Sequence, residues 1–388
     1  MRSGRLACAA LIAAGLASRA RAADDLSRAL DAAGGADVVA FELPSTPGAP
    51  HARVAAIVNA APAAVRAALE DAAHYGLLVP TIVRSEEIGR RADARLIAWE
   101  LEVPLSNLEG TFELRSTATG VELTFVSGDL APGRLDFSVA ARPDGRATLE
   151  LDARLDVRRT SWIVRWALAR SDVGEAAAIA TAAWVAARAV ALRAEHPRDV
   201  RAFRPTTPIA STPPASVGAR ALWAAPFTPL VARGAAALVH VAPTGRLAAV
   251  SVAAPAHGDA RALTMRLTDP RTWHAFPGWK KIVPMPPTNG GPPTVVVEDG
   301  LPFVDLDATW TPVSAAGSTR AWTATSGAAR GAWFSWDAAP SGGAAALTMS
   351  PRLDATGSIP RRFIEAEPLL EHGLALSLAF VDALGATR

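Results

Sequence analysis

The chain says the same thing twice, and that limits what it can fold into. Asp71-x3-Tyr75 with Pro80 behind it returns as Asp269-x3-Trp273 with Pro277 behind it. Pro104-x3-Leu108-Glu109-x-Thr111-Phe112 returns as Pro302-x3-Leu306-Asp307-x-Thr309-Trp310, and Arg154-Leu155-Asp156 returns as Arg352-Leu353-Asp354. In all three cases the copies lie 198 positions apart. A period that long is too large for a solenoid unit and suits a duplicated domain of ordinary size. The fold must be one that works in two copies.

The chain has 388 residues, half of them apolar and 20% charged. Each half can bury its own core, and the composition argues against disorder. The N-terminus reads as a secretory signal. Arg2 and Arg5 precede an apolar run from Leu6 to Leu16 that is too short to span a bilayer, and Ala20-Arg21-Ala22 fits a small-residue cleavage site. Residues 1–22 are therefore expected to be a signal peptide, with the mature chain starting near Ala23 in the periplasm or outside the cell. Cleavage would remove Arg2, Arg5, Arg19 and Arg21 and take the formal net charge from +2 to −2. That balance argues against nucleic acid as a partner, because such binders need a clustered basic face. The single cysteine, Cys8, would leave too, so no disulfide, thiol nucleophile or Cys metal site is expected.

Hydrophobic periodicity gives the order of elements. A helix over 24–33 precedes two strands, 37–43 and 53–58; the matching strands of the second half are 237–242 and 246–252. A helix follows in each half, over 61–73 and 256–268, the first with Pro62 in its opening turn. The pattern then switches to period two. Ile97, Trp99, Leu101 and Val103 alternate with polar or small residues, as do Leu108, Gly110, Phe112 and Leu114, then Val121, Leu123 and Phe125, then Leu135, Phe137 and Val139. Such strands belong to an antiparallel sheet with one face wetted. Each half closes on a long helix, 172–194 and 363–384, the first with Trp184 on its apolar stripe. A sheet with one apolar face must be covered, and the long helix is the element large enough to do it. The Pro- and Thr-rich segment after Pro197 reads as a linker.

This order resembles the helix-grip, START-like superfamily, also called SRPBCC, which includes polyketide cyclase/dehydrase and lipid-transport proteins. The residues that carry the resemblance are Val58-Asn59-Ala60-Ala61-Pro62-Ala63-Ala64-Val65, Asp71-Ala72-Ala73-His74-Tyr75 and Val79-Pro80. Val252-Ala253-Ala254-Pro255-Ala256, Asp269, Trp273 and Pro277 carry it again. The expected fold is α+β: two tandem helix-grip domains, each a curved antiparallel sheet wrapped around a long C-terminal helix. Domain 1 would span 23–196, a Pro-rich linker 197–218, and domain 2 219–388. The resemblance implies a sheet–helix cavity for an apolar ligand such as a lipid, sterol, quinone or polyketide.

Tyr75, Trp99, Phe112, Leu123, Phe125 and Phe137 are the candidate ligand contacts in the first half, with Trp184 from the helix. Trp273, Trp310 and Trp322 are those of the second. A packed core accounts for the same positions equally well. Asp71 and Asp269 suit turn closure after a helix better than catalysis. The seven histidines show no metal-ligand spacing, and no nucleophile elbow or phosphate-cradling glycine loop is present; no metal or cofactor is expected. The Pro- and Gly-rich loop from Pro284 to Pro293 breaks the symmetry of the halves and is a candidate for transient membrane contact or gating.

Three functions remain open. The first is exported, non-enzymatic binding or transport of an apolar small molecule. The second is a cyclase/dehydratase-type enzyme with Tyr75, Asp71, His74 or His274 as acid–base groups. The third is a structural or interaction module without a pocket of about 300 Å3 or more in either half. Bulk differs between the copies: Tyr75 against Trp273, Phe112 against Trp310, Leu123 against Trp322, Val139 against Trp336. The second cavity is expected to be the smaller and more filled, and the first the binding site.

Overall fold

The computed structural model describes residues 25–42, 51–79, 82–103, 106–157, 160, 172–197, 219–241, 247–275, 279–286, 294–301, 304–313, 320–327, 330–341 and 343–350, with Leu376 and Ala383. The expected signal peptide, nearly all of the linker and most of the second long helix lie outside these residues.

The first half begins with α1 (residues 25–32) and a hairpin, β1 (Asp37–Glu42) and β2 (His51–Val58). Helix α2 (Pro62–Glu70) follows, its first turn set by Pro62, then a 3-10 turn at Ala72–His74 and the short α3 (Tyr75–Leu78). Six strands come next: β3 (Ile82–Arg91), β4 (Ala94–Val103), β5 (Ser106–Ser116), β6 (Gly120–Gly128), β7 (Gly133–Ala141) and β8 (Ala147–Arg154). The sheet order is β1-β2-β8-β7-β6-β5-β4-β3, all antiparallel. The long helix α4 (Asp172–Glu195) packs on β2, β8 and β1. Ala176, Ala177, Ala180, Ala183, Ala187 and Ala191 are buried along it; such small side chains let a helix approach a sheet closely. Helix α4 is apolar and long enough to cross a bilayer, and its buried face accounts for that composition.

The second half repeats the plan. Helices α5 (Ala219–Leu222) and α6 (Thr228–Arg233) lead into β9 (Gly234–Val241) and β10 (Leu247–Pro255), then α7 (Ala260–Thr268) and a 3-10 segment at Pro270–Ala275. Strands β11 (Trp279–Met285), β12 (Thr294–Leu301), β13 (Val304–Val313), β14 (Arg320–Gly327), β15 (Trp333–Ala338) and β16 (Ala344–Ser350) complete it. Their order, β9-β10-β16-β15-β14-β13-β12-β11, is that of the first half. The offset of 198 holds in the hairpins: Val38 pairs with Ala55 as Ala236 pairs with Ala253, and Trp99 with Gly110 as Val297 with Ala308. It slips by one in the next strands. Leu123 pairs with Leu135, and Trp322 with Phe334. The counterpart of Trp336 is therefore Phe137, not Val139.

The halves are not separate sheets. β1 pairs antiparallel with β9, joining them into one sheet of 16 strands. Val39 lies opposite Ala237, its own counterpart in the repeat, so the junction sits on a local two-fold axis. The joined strands are covered on both faces. On one, Val39, Phe41 and Val239 belong to the main core. On the other, Val38, Ala40, Ala236 and Leu238 lie under Leu26 and Leu30 of α1, Leu222 of α5, and Leu230 and Val231 of α6. The buried Asp25 fastens this outer layer, accepting from Arg233 Nη1 at 2.9 Å and Arg28 Nη2 at 2.6 Å. Edge strands invite pairing, and here the two innermost edges satisfy each other.

Candidate functional site

In the first half, the period-two strands turn one set of aromatic side chains toward α4. Phe112 lies between Tyr75 (ring centroids 6.2 Å apart, stacked) and Phe125 (5.8 Å, edge-on), and Trp99 meets Phe125 edge-on at 5.7 Å. These rings border a cavity of about 170 Å3. Tyr75, Trp99, Phe112, Leu123, Phe125 and Phe137 all line it. The sequence reading missed Leu78, Val79, Ile82, Ser85 and Leu130, and Ala186, Ala189 and Val190 on α4. The helix contributors carry no signal of their own, because small residues on an apolar stripe look the same whether they face a void or a side chain.

Trp184 is elsewhere. It is fully buried and donates from Nε1 to Asp37 Oδ2 at 3.0 Å, tying α4 to β1. Burial pushes the Asp37 carboxyl above the usual carboxylate range, against the pull of Arg188 and the Trp184 hydrogen bond.

The cavity wall is apolar, and its hydroxyl donors are committed. Tyr75 Oη donates to the Leu69 carbonyl at 2.5 Å, and Ser85 Oγ to the Ala72 carbonyl at 2.6 Å. Burial pushes the Tyr75 phenol well above its ordinary value, so it holds its proton at neutral pH. The aspartates do local work. Asp71 Oδ1 lies 2.7 Å from His74 Nδ1, both groups largely exposed. Asp269 Oδ1 accepts from the Arg271 backbone N–H at 3.0 Å, closing the turn after α7. The side chain of His274 lies outside the described set. Among the described residues, no group of three or more His, Cys, Asp or Glu could hold a metal ion.

In the second half the corresponding inner face holds larger rings. Trp273 meets Trp322 at 4.9 Å and Phe334 at 5.7 Å, and Trp310 meets Phe334 at 4.8 Å, all edge-on. Trp322, Phe334 and Trp336 stand where the first half has Leu123, Leu135 and Phe137.

A larger cleft, about 390 Å3, lies along β2, β8, β7 and β6, with Leu26 of α1 at its border. Its charged side chains face one another. Arg134 Nε is 2.7 Å from Asp136 and its Nη2 2.9 Å from Glu122, while His51 Nε2 is 2.7 Å from Asp152. One guanidinium thus meets two carboxylates, and the His51 imidazole meets a third. The inner cavity is the smaller space but the one bounded by apolar side chains, and it falls below the roughly 300 Å3 at which drug-sized sites begin.

No family model matches the chain, and no curated protein matches it. Among solved structures, it is similar to the di-domain ARO/CYC StfQ from the steffimycin biosynthetic pathway. The identity is 11% over 86% of this chain and 97% of that one, with a TM-score of 0.29. It is similar to the Zhui aromatase/cyclase from Streptomyces sp. R1128 at 14% identity, covering 38% and 93%, with a TM-score of 0.32. A START superfamily protein from Mycobacterium smegmatis is similar at 15% identity over 27% and 76%, TM-score 0.26. The chain itself holds one plan twice. Hairpin, short helices and a run of antiparallel strands recur in the same sheet order in both halves, and in the first a long helix packs on the sheet.

Proposed function

We propose that this protein binds a compact apolar small molecule in the first-half cavity and carries it without chemical change, outside the cytoplasm. The observation that carries the reading is the 170 Å3 space bounded by α4 and the inner face of the sheet, with aromatic and aliphatic walls. Apolar cavities of about 150 Å3 are known to take up a benzene-sized guest. A ligand of one or two rings, or the ring end of a longer one, matches that volume. Both halves are read as helix-grip domains, 23–196 and 219–388 about a linker at 197–218, with the second serving as a filled structural partner. The cyclase-type alternative has less to draw on, because the Tyr75 hydroxyl is spent on the Leu69 carbonyl and Asp71 pairs with His74 on the surface.

Mass spectrometry of organic extracts of the purified chain tests the binding. A stoichiometric apolar compound is expected in the wild type and not in a variant with the cavity filled. A folded protein that neither co-purifies with nor takes up any apolar compound sinks the reading. N-terminal sequencing of the protein from a secreting host tests export; a mature start near Ala23 is expected, and an uncleaved chain in the cytoplasm refutes it.

A further inference from the structure

We infer that the outer cleft of the first half is a second binding site, for a small molecule carrying one primary ammonium group, and that Glu150 receives the ammonium. The site is separate from the first-half cavity and does not depend on the role proposed for it.

Glu150 stands on β8 between Leu149 and Leu151, whose side chains enter the main core, so its own points to the opposite face. There it lines the cleft of about 390 Å3. Three rows of outward residues cross β6, β7, β8 and β2 in register. The first is Glu122, Asp136, Asp152 and Arg53; the second is Thr124, Arg134, Arg154 and His51. These two rows answer each other. Arg134 holds Glu122 and Asp136, and Asp152 meets His51 and, at 3.4 Å, Arg154. The third row is Gly120, Ser138, Glu150 and Ala55, with a single charge. Half-buried between two small residues, the Glu150 carboxyl meets no hydrogen bond or ion pair among the described residues. Only the field of Arg53 acts on it, and burial outweighs that field, holding the carboxyl above its ordinary range. The count agrees. Four carboxyls line the cleft against the three guanidinium groups of Arg53, Arg134 and Arg154. With His51 counted neutral, one negative charge is left over.

The second half shows that the sheet does not need these charges. Ser335, Thr348 and Ser251 stand where the first half has Asp136, Asp152 and Arg53, and Ala346 stands where it has Glu150. Ser251 Oγ lies 3.0 Å from Thr348 Oγ1, both buried. The uncommitted carboxyl is thus a departure of one copy, placed in a cleft of ligand size. An ammonium group matches it, bringing one positive charge and three donors. The hydroxyls of Ser138 and Thr119, also in the wall, can bond the rest of the guest.

The probes are 5-aminopentan-1-ol and pentane-1,5-diol, which differ in one end group, ammonium against hydroxyl. Their affinities for the full chain and for Glu150→Gln are measured by calorimetry at pH 8 and low salt. The amine-to-diol affinity ratio is expected to fall about tenfold in Glu150→Gln, the loss of one charge-assisted hydrogen bond, while the diol affinity stays within about twofold. An unchanged ratio overturns the inference, as does failure of the amine to bind the wild type at millimolar concentration. Glu86→Gln removes an exposed carboxylate on β3, outside the cleft. It should leave the ratio alone; an equal fall there means that overall charge holds the amine and refutes the site. α-Methylstyrene, an apolar probe sized for the first-half cavity, should not displace the amine; displacement would put the amine in that cavity and sink the inference. Should Glu150→Gln not fold, wild type with 13C-labelled Glu carboxyls decides. The amine should move one carboxyl resonance and the diol none; equal effects of the two refute the role of Glu150.

Discussion

Tyr75 and Trp273 make the same hydrogen bond in the two halves. Tyr75 Oη donates to the Leu69 carbonyl, six residues back, and Trp273 Nε1 donates to the Leu267 carbonyl, also six residues back. Leu69 and Leu267 are themselves counterparts in the repeat. Each ring thereby caps an orphan carbonyl at the end of its helix while its body fills the inner face. Phenol and indole are interchangeable here because each joins an apolar ring to one donor. The duplicated aromatic is first a fastening, and the difference in ring size sets how much room is left. Tyr75→Phe should cost about 1 kcal/mol and leave probe affinity unchanged. Chemical denaturation with a parallel α-methylstyrene titration checks both, and a loss of binding without loss of stability would contradict it.

The second half shows how to close the cavity. Leu123→Trp places in the first half the residue found at its counterpart, Trp322. The indole should occupy the void, so overpacking strain stays small. Affinity for α-methylstyrene should fall at least about tenfold, with the thermal midpoint within about 4 °C of wild type. Retained binding would show that probes enter elsewhere, the charged outer cleft being the space to look at next.

Asp37 and Trp184 give a pH-dependent signature at the junction. The folded-state pKa of Asp37 is raised, chiefly by burial. Its contribution to stability is therefore fully present below the unfolded-state value and is lost as pH rises through the folded-state one. Asp37→Asn mimics the protonated group and keeps an acceptor for the indole. It should be more stable than wild type at pH 7, and the difference should vanish below about pH 4. Asp37→Ala leaves the Trp184 N–H unpaired and should cost about 2 kcal/mol at pH 4, and less at pH 7, where the wild type has lost the contribution of the protonated group. Thermal melts of the three proteins at pH 4 and pH 7 decide it. An Asn variant with a constant offset would mean that Asp37 is charged in the fold.

Residue patterns made some of this legible and hid the rest. In β5 the run Leu108, Gly110, Phe112, Leu114 against Glu109, Thr111, Glu113 shows a sheet wet on one side, and that strand was read correctly. The same alternation placed Trp99 and Phe125 on the inner wall. In β9, Ala235-Ala236-Ala237-Leu238-Val239 does not alternate, and all five residues are buried. Unbroken apolar runs mark strands covered on both faces. That was the available sign of the outer layer formed by α1, α5 and α6, and of the continuous sheet. The residue pattern predicts one sheet per half, because pairing between distant edges leaves no local pattern. Trp184 was placed at the ligand for a similar reason: periodicity puts it on the apolar stripe but says nothing of Asp37, 147 positions away.

The junction makes the final prediction. Val39 opposite Ala237 on a local two-fold axis means that β1 presents to β9 the edge that β9 presents to β1. A chain ending at Pro197 would keep β1 and lose its partner. Its exposed edge is complementary to itself in antiparallel register, the isologous arrangement of a two-fold dimer. Half of the outer layer would go as well, since Leu222, Leu230 and Val231 belong to the second half. The truncated chain should therefore self-associate into dimers or larger species at micromolar concentration, while the full chain keeps that edge occupied internally. Light scattering on the 23–197 fragment gives the answer. A soluble monomeric fragment would show that the β1–β9 pairing is a contact of convenience and that the first half closes its own edge.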